Sequence, residues 1–150
     1  EQKRKVVEKY NPELIINYQE ENLRETVEAH FGKRPVNIFY DQVGGQAYDE
    51  GVKLLSSEGR ALIVGFASGN IPSQLLSYLL VKNITIMGVF MISFEDNDKD
   101  YLKSRIELIF EHYRNKKIEP VFEIIDFQNI IEYLDLIGSR KTVGRIVAVK

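Results

Sequence analysis

The chain has 150 residues, with 20 Lys and Arg against 22 Asp and Glu and a formal net charge of −2. This balance leaves no global positive field for a nucleic-acid backbone, and we identify no local basic patch that would replace it. The absence of Cys excludes disulfides, Cys-ligated zinc and thiol catalysis. It is compatible with a reducing compartment, so we expect the cytoplasm or, as the alternative, the mitochondrial matrix. The longest apolar stretch, residues 84–94, is shorter than the roughly 20 residues of a membrane-spanning helix.

An apolar content of 44% and a charged content of 28% predict one domain with a hydrophobic core. The sequence begins at Glu1, already inside a helical pattern, without an initiator Met or the apolar segment of a signal peptide. We therefore expect an interior piece of a longer protein.

The first half of the chain alternates short apolar runs with segments of helical period. Gly32 ends one helical segment, and Gly44 and Gly45 precede another, in which Tyr48, Val52 and Leu55 recur at helical spacing. In chain order, the pattern predicts a strand at 14–16, a helix at 20–31, a strand at 36–40, a helix after Gly45 that closes at 57–59, and a strand at 60–66.

The second half continues the alternation. Pro72 is suited to the first turn of a helix, and Asp126 is suited to the N-cap position of a later one. An apolar stripe for packing against the sheet or a neighbouring subunit is formed by Leu75, Leu76, Leu79 and Leu80. In chain order, we predict a helix from Pro72, a strand at 84–91, a helix from about 98 to 116, a strand at 121–125, a helix after Asp126 that reaches Ile137, and a strand at 145–149.

Strands that are apolar on both faces and alternate with helices are typical of parallel sheets covered by helices. The sequence therefore predicts an α/β fold. In such sheets a ligand lies beyond the carboxyl ends of the strands. Glycine-bearing segments lie at the ends of three of the predicted strands, at residues 41–45 after the second, at residues 65–69 at the end of the third, and at residues 88–91 in the fourth. Any one of these could be an ordinary turn, but together they predict a flat groove lined by main chain.

Five segments carry a family resemblance, in this order: LIINY (14–18), VNIFYDQVGG (36–45), GRALIVGFASG (59–69), LLVKNITIMGVF (79–90) and SRKTVGRIV (139–147). The chain resembles the nucleotide-binding half of quinone oxidoreductases, the zinc-independent branch of the medium-chain dehydrogenase/reductase superfamily. The resemblance implies an incomplete Rossmann-like, doubly wound parallel sheet. The first two strands, the glycine-rich GxGxxG fingerprint and the separate catalytic domain are missing from residues 1–150.

The function that this resemblance implies is NADPH-dependent hydride transfer to a quinone or an α,β-unsaturated carbonyl, with the isolated fragment inactive. It also implies a homodimer that pairs through the edge strand at 84–91. Catalytic residues lie outside the chain, no metal site is expected, and His30 and His112 have no metal-ligand spacing. Two other functions remain open: a non-catalytic dinucleotide-binding scaffold on the same fold, or an NAD-dependent alcohol dehydrogenase relative.

The resemblance also assigns cofactor contacts. Lys3 and Tyr18 match residues beside the adenosine 2′-phosphate, Val43 matches an adenosine-side or ribose contact, and Arg140 matches a basic residue that reaches the phosphates. Taken singly, Lys3 could be a solvated surface charge, Tyr18 a core aromatic, and Arg140 a charge at a helix C-terminus. The nicotinamide ribose and ring match Gly65, Phe66, Ala67, Ser68 and Gly69, and the carboxamide matches Val89, Phe90 and Met91.

Overall fold

The computed structural model describes residues 2–90, 93, 99–139 and 141–150. Its contacts divide the chain into two compact units, one of residues 16–97 and one of residues 1–15 with 98–150. We call them the three-stranded unit and the two-stranded unit, after their sheets.

The elements alternate as the sequence predicts. In chain order they are α1 (Gln2–Glu8), α2 (Leu23–Phe31), β1 (Val36–Asp41), α3 (Gly45–Gly51), a 3₁₀ turn (Val52–Leu54), β2 (Leu55–Ile63), α4 (Leu76–Lys82), β3 (Thr85–Gly88), α5 (Lys99–Arg114), β4 (Phe122–Asp126), a 3₁₀ turn (Phe127–Asn129), α6 (Ile130–Gly138) and β5 (Arg145–Val149). None of the helices in the described ranges is long and apolar enough to cross a membrane.

The sheet of the three-stranded unit has the order β1-β2-β3, and both pairings are parallel. Phe39, Ala61 and Ile86 lie side by side across it and face the core. Because side chains alternate along a strand, the neighbouring positions face the other way, and Ile38 and Tyr40 are 63% and 60% exposed. The chain thus folds into an α/β structure with a parallel sheet and flanking helices, as predicted.

The core of this unit forms where α3, the following 3₁₀ turn and β2 meet. Leu55 and Ala61 are fully buried, and the aromatic ring of Tyr48 packs with them. Burial of the Leu55 side chain alone contributes roughly 1.5–3 kcal/mol to folding. The core therefore holds α3 against the sheet, directly below the loop that precedes this helix.

Arg34 joins the amino end of β2 to the end of α4. Its Nε donates a hydrogen bond to the Leu55 carbonyl at 2.7 Å, and its Nη2 donates to the Lys82 carbonyl at 2.9 Å. A guanidinium suits this place because its fixed fork serves two acceptors at once.

The two-stranded unit contains a second parallel pair, β4 with β5. Asp126 caps the 3₁₀ turn that leads into α6, because its side chain accepts a hydrogen bond from the Gln128 amide at 2.8 Å. The Tyr133 hydroxyl on α6 donates to Oε1 of Glu123 at 2.6 Å, and this bond to a carboxylate raises the pKa of Tyr133. The predicted N-cap at Asp126 is confirmed.

The structure corrects two strand predictions in the first half. Residues 14–16 are described and form no strand, and none of the described strands pairs with them. The strand predicted at 60–66 begins earlier, at Leu55, and ends at Ile63. The register slips between Val36 and Ile38, and this irregularity lets residues before Arg60 join the sheet where a helix was predicted.

The leucine stripe is also corrected. Helix α4 begins at Leu76 rather than near Pro72, and only Leu79 of the stripe packs against the core of the three-stranded unit. Leu75, Leu76 and Leu80 are 74–82% exposed, so core packing does not explain them. The strand predicted at 84–91 is shorter, Thr85–Gly88, and the helix predicted from 98 to 116 is Lys99–Arg114 within the described part.

Candidate functional site

Three strand ends meet at one edge of the three-stranded sheet. Asp41, Ile63 and Gly88 are partners across the parallel ladder, so they lie level with one another. The loops that leave them therefore begin at a common edge, as the sequence predicts. Residues 42–45, 64–70 and 89–90 of these loops contain no ionisable side chain. Main-chain groups dominate the chemistry of this edge, which we call the carboxyl edge.

The first loop is organised by Asp41, the last residue of β1. Its side chain is buried, and Oδ1 accepts hydrogen bonds from the Val43 amide at 2.9 Å and the Gly44 amide at 3.1 Å. Oδ2 lies 3.2 Å from the same Gly44 amide. An aspartate that bonds to amides two and three residues later forms a local turn. The Val43 and Gly44 amides are thereby occupied within the protein.

Gly44 is required by the backbone of this turn. Its φ is +70° and its ψ is −162°, a conformation that is essentially restricted to glycine. A Cβ placed on Gly44 would lie 2.7 Å from the Asn70 carbonyl oxygen and 3.0 Å from the Phe66 ring. The first and second loops therefore approach each other so closely at Gly44 that no side chain fits between them.

Main-chain hydrogen bonds tie these two loops together. The Ala67 amide donates to the Gln42 carbonyl at 3.0 Å, the Ser68 amide donates to the Val43 carbonyl at 2.9 Å, and the Gly45 amide donates to the Asn70 carbonyl at 3.0 Å. The Asn70 amide in turn donates to Oγ of Ser68 at 3.2 Å. Residues 42–45 and 66–70 thus form one braced structure.

Some main-chain groups at the edge have no partner within the described ranges. The ladder between β2 and β3 closes with the Val89 amide donating to the Ile63 carbonyl at 2.9 Å. The next bond of a parallel ladder, from the Gly65 amide to the Val89 carbonyl, does not form between these described residues. Among hydrogen bonds of the described chain, the amides of Phe66 and Phe90 donate none. Donors and an acceptor thus remain unpaired here.

The structure brings most of the predicted site residues to this edge. Val43, the residues from Gly65 to Gly69, Val89 and Phe90 all lie in the three loops. The Val43 amide is taken by Asp41, so its side chain is the part left to contact a ligand. The amides of Ala67 and Ser68 bond to the first loop, which leaves those of Gly65 and Phe66 as the donors of the second loop.

The remaining predicted residues lie elsewhere. Tyr18 is 46% exposed in the loop before α2 of the same unit, and Lys3 is exposed on α1 of the two-stranded unit. Met91 and Arg140 lie outside the described residues. The sequence interpretation placed Asp41 and Gly44 at this edge, and the close approach of main chain at Gly44 agrees with it. It missed the organising roles of Asp41 and Asn70. An aspartate that directly ends a strand and precedes two glycines is the signal that could have identified this turn.

Tyr48 lies below the braced loops. Burial of the side chain raises the pKa of its hydroxyl, and the negative charges of Asp41 and Asp49 raise this pKa further. The phenol therefore stays protonated well into the alkaline range, and it acts as a core residue rather than as a base.

The fold and its carboxyl edge define a Rossmann-like α/β protein. Residues 1–110 match the profile of a family described as zinc-binding dehydrogenase, so the chain belongs to this family. The described residues do not fit a zinc site, because they contain no group of three or more His, Cys, Asp or Glu side chains that could hold a metal.

Named relatives agree with this family. Quinone oxidoreductase-like protein 2 from Bos taurus is 27% identical over 133 residues, which cover 88% of this chain and 38% of the relative. The Mus musculus protein of the same name is 27% identical over 148 residues, or 98% of this chain and 42% of the relative. The chain thus spans about two fifths of the length of these relatives.

A solved structure shares the fold. The quinone oxidoreductase of Escherichia coli, complexed with NADPH, superposes with a TM-score of 0.77 at 20% identity over 90% of this chain and 42% of that protein. At this identity the likeness establishes the fold alone. The family match over residues 1–110 is what relates the chain distantly to medium-chain oxidoreductases.

Proposed function

We propose that the chain is the cofactor-binding part of an oxidoreductase that transfers hydride from NADPH to a quinone or an α,β-unsaturated carbonyl. The observation that carries this proposal is the open ladder at the carboxyl edge, where the Gly65 amide and the Val89 carbonyl remain unpaired within the described chain. Main-chain groups that are shielded from water need partners. Gly65 and Val89 are both partly buried, so a ligand that offers both a donor and an acceptor fits this place.

The nicotinamide carboxamide has this chemistry. A primary amide offers one acceptor oxygen and two N–H donors. The amides of Gly65, Phe66 and Phe90 are candidate donors to its oxygen, and the Val89 carbonyl is a candidate acceptor. Bound NADPH would supply the hydride as its own chemistry. The chain's residues would bind and orient it, which is consistent with loops that carry no ionisable side chain.

The preference for NADPH is part of the proposal. The Escherichia coli structure of the same fold is complexed with NADPH, which supports this choice. Lys3 and Tyr18 are exposed, and we assign them to the adenosine 2′-phosphate, with Arg140 assigned to the cofactor phosphates. Met91 stays assigned to the carboxamide with Val89 and Phe90. We further propose hydride transfer of the zinc-independent kind, in the cytoplasm or the mitochondrial matrix.

The assembly and the active length are also proposals. Relatives extend well beyond the aligned part, which is 38% and 42% of their lengths. We therefore propose that residues 1–150 are a partial Rossmann domain with C-terminal return elements, and that turnover belongs to a longer polypeptide that includes them. A homodimer through residues 84–91 is supported by β3, which is one of the two outer strands of the described three-stranded sheet.

The test measures binding and turnover separately. NADPH and NADH are titrated into the chain and into a longer polypeptide that includes it, and oxidation is followed with a quinone and an enone. We expect turnover by the longer polypeptide with NADPH preferred, and neither turnover nor micromolar affinity for the chain alone. NADPH bound without oxidation by any acceptor would favour the scaffold function, and a preference for NADH would favour the alcohol dehydrogenase relative.

A matched pair of variants ties the result to the carboxyl edge. In Gly65→Ala the added methyl meets nothing closer than the Gln42 carbonyl, at 3.6 Å, so the fold tolerates it. The control is Gly138→Ala, where nothing lies within 4 Å. We expect Gly65→Ala to weaken NADPH binding in the longer polypeptide and Gly138→Ala to leave it unchanged. Equal affinity of both variants and the unaltered protein would contradict the proposal.

A further inference from the structure

We propose that Asp41 is a positioning residue, whose carboxylate sets the first loop and, through it, the second loop at the geometry that receives the dinucleotide. This inference rests on the proposed function for its ligand. It stands on the buried side chain of Asp41 and on the amides of Val43 and Gly44, which bond to it at 2.9 and 3.1 Å.

A short chain of hydrogen bonds connects the Asp41 carboxylate to the second loop. Asp41 fixes Val43, and the Val43 carbonyl accepts the Ser68 amide at 2.9 Å, so one intervening residue connects the carboxylate to the second loop. A parallel path runs through Gly44 to Gly45, whose amide donates to the Asn70 carbonyl at 3.0 Å. Both paths end in the loop that carries the unpaired amides of Gly65 and Phe66.

Asp41 is well suited to this task because its carboxylate has no hydrogen-bond partner among the described residues besides these two amides. Its side chain is only 2% exposed, so removal of the carboxylate leaves the two amides without their acceptor in a buried place, which is costly. A misplacement of about 1 Å caused by a mutation far from the reacting atoms can lower a reaction rate by about a hundredfold, so the position of a ligand-holding loop matters at this scale. Asp41 can therefore change ligand binding without touching the ligand.

The test uses two variants of the same side chain. Asp41→Asn keeps an amide oxygen in the place of Oδ1, which accepts both amides, whereas Asp41→Ala removes both acceptors. The first readout is amide hydrogen exchange, which needs no ligand. In Asp41→Ala we expect faster exchange at Val43, Gly44, Ala67 and Ser68, with unchanged exchange at Ala61 in the core. In Asp41→Asn we expect protection close to that of the unaltered chain.

The second readout is NADPH affinity of the longer polypeptide, measured at a temperature where both variants are folded. We expect about a tenfold loss for Asp41→Ala and recovery to within about twofold for Asp41→Asn. If the unaltered protein does not bind NADPH, the proposed function fails, and the exchange comparison still decides the role of Asp41 in holding the loops.

Three results would overturn the proposal. Unchanged protection of both loops in Asp41→Ala would show that the carboxylate does not hold them. Faster exchange throughout the three-stranded unit would show a general structural role. Lost loop protection with unchanged NADPH affinity would show that the loop geometry does not govern ligand binding.

Discussion

Gly44→Ala tests how closely the two loops at the carboxyl edge approach each other. The backbone at Gly44 has φ +70° and ψ −162°, and an L-residue held there costs about 1–3 kcal/mol. The new Cβ would also lie 2.7 Å from the Asn70 carbonyl oxygen, and an overpacked position of this kind costs a further 1–3 kcal/mol or so. We therefore expect a loss of about 2–6 kcal/mol, which is a large part of the roughly 5–15 kcal/mol of a typical domain.

The assay is urea unfolding of the chain, followed by far-ultraviolet circular dichroism, with two matched glycine variants. Gly69→Ala has a φ of +81° and nothing within 4 Å of the added methyl, so it isolates the backbone cost. Gly65→Ala has neither a positive φ nor a contact below 3.6 Å. The expected order of destabilisation is Gly44→Ala, then Gly69→Ala, then Gly65→Ala. A Gly44→Ala loss within about 0.5 kcal/mol of that for Gly69→Ala would refute the close approach of the loops.

Two further predictions concern the support of the sheet and the pH dependence of stability. Arg34→Ala should lower the free energy of unfolding in urea by about 2 kcal/mol, because both hydrogen bonds of its guanidinium, to the Leu55 and Lys82 carbonyls, are lost. Arg34→Lys should recover less than half of this free energy, and full recovery would contradict the two-acceptor role. The pKa of Tyr48 is raised above its ordinary 10.0, so this hydroxyl ionises first in the unfolded chain. The contribution of Tyr48 to stability is therefore fully present below pH 10.0 and is lost as pH rises through the higher folded pKa. Melting temperatures should show a smaller alkaline decline for Tyr48→Phe than for the unaltered chain, and equal declines would disprove the raised pKa.

Part of the fold follows from local chemistry and was predictable from the sequence. Helix α2 is preceded by Asn22, whose side chain accepts the Glu25 amide at 3.0 Å, and it is followed by Gly32 with a φ of +87°. Capping and termination of this kind depend on neighbouring residues alone. Strands β1 and β5 were also predicted closely, because each is a compact apolar run.

Other features depend on partners distant in sequence. Residues 14–16 have the composition of a buried strand, but a strand of a sheet needs another strand to pair with, and none of the described strands pairs with these residues. The early start of β2 at Leu55 depends on the register slip opposite Val36. The exposure of Leu76 and Leu80 likewise could not be predicted, because an apolar stripe in the sequence does not show which surface packs against it.

The candidate site also has a part that the sequence predicts and a part that only the structure shows. The glycines after the strands predicted main-chain chemistry at one edge, and the parallel register of Asp41, Ile63 and Gly88 confirms that these strand ends lie together. Which amides remain unpaired could not be predicted, because it depends on bonds between loops. The amides of Ala67 and Ser68 donate hydrogen bonds to the first loop, whereas those of Gly65 and Phe66 do not, and only the structure shows this difference.

The central claim is that the unpaired main chain at the carboxyl edge receives the nicotinamide end of NADPH. Amide-resolved NMR of the chain during an NADPH titration tests it directly, because shift changes report even weak binding residue by residue. The account predicts saturable shifts that are largest at the amides of Gly65, Phe66 and Phe90, while those of β4 and β5 stay unchanged. Saturable shifts centred in the two-stranded unit, with these three amides unmoved, would contradict it.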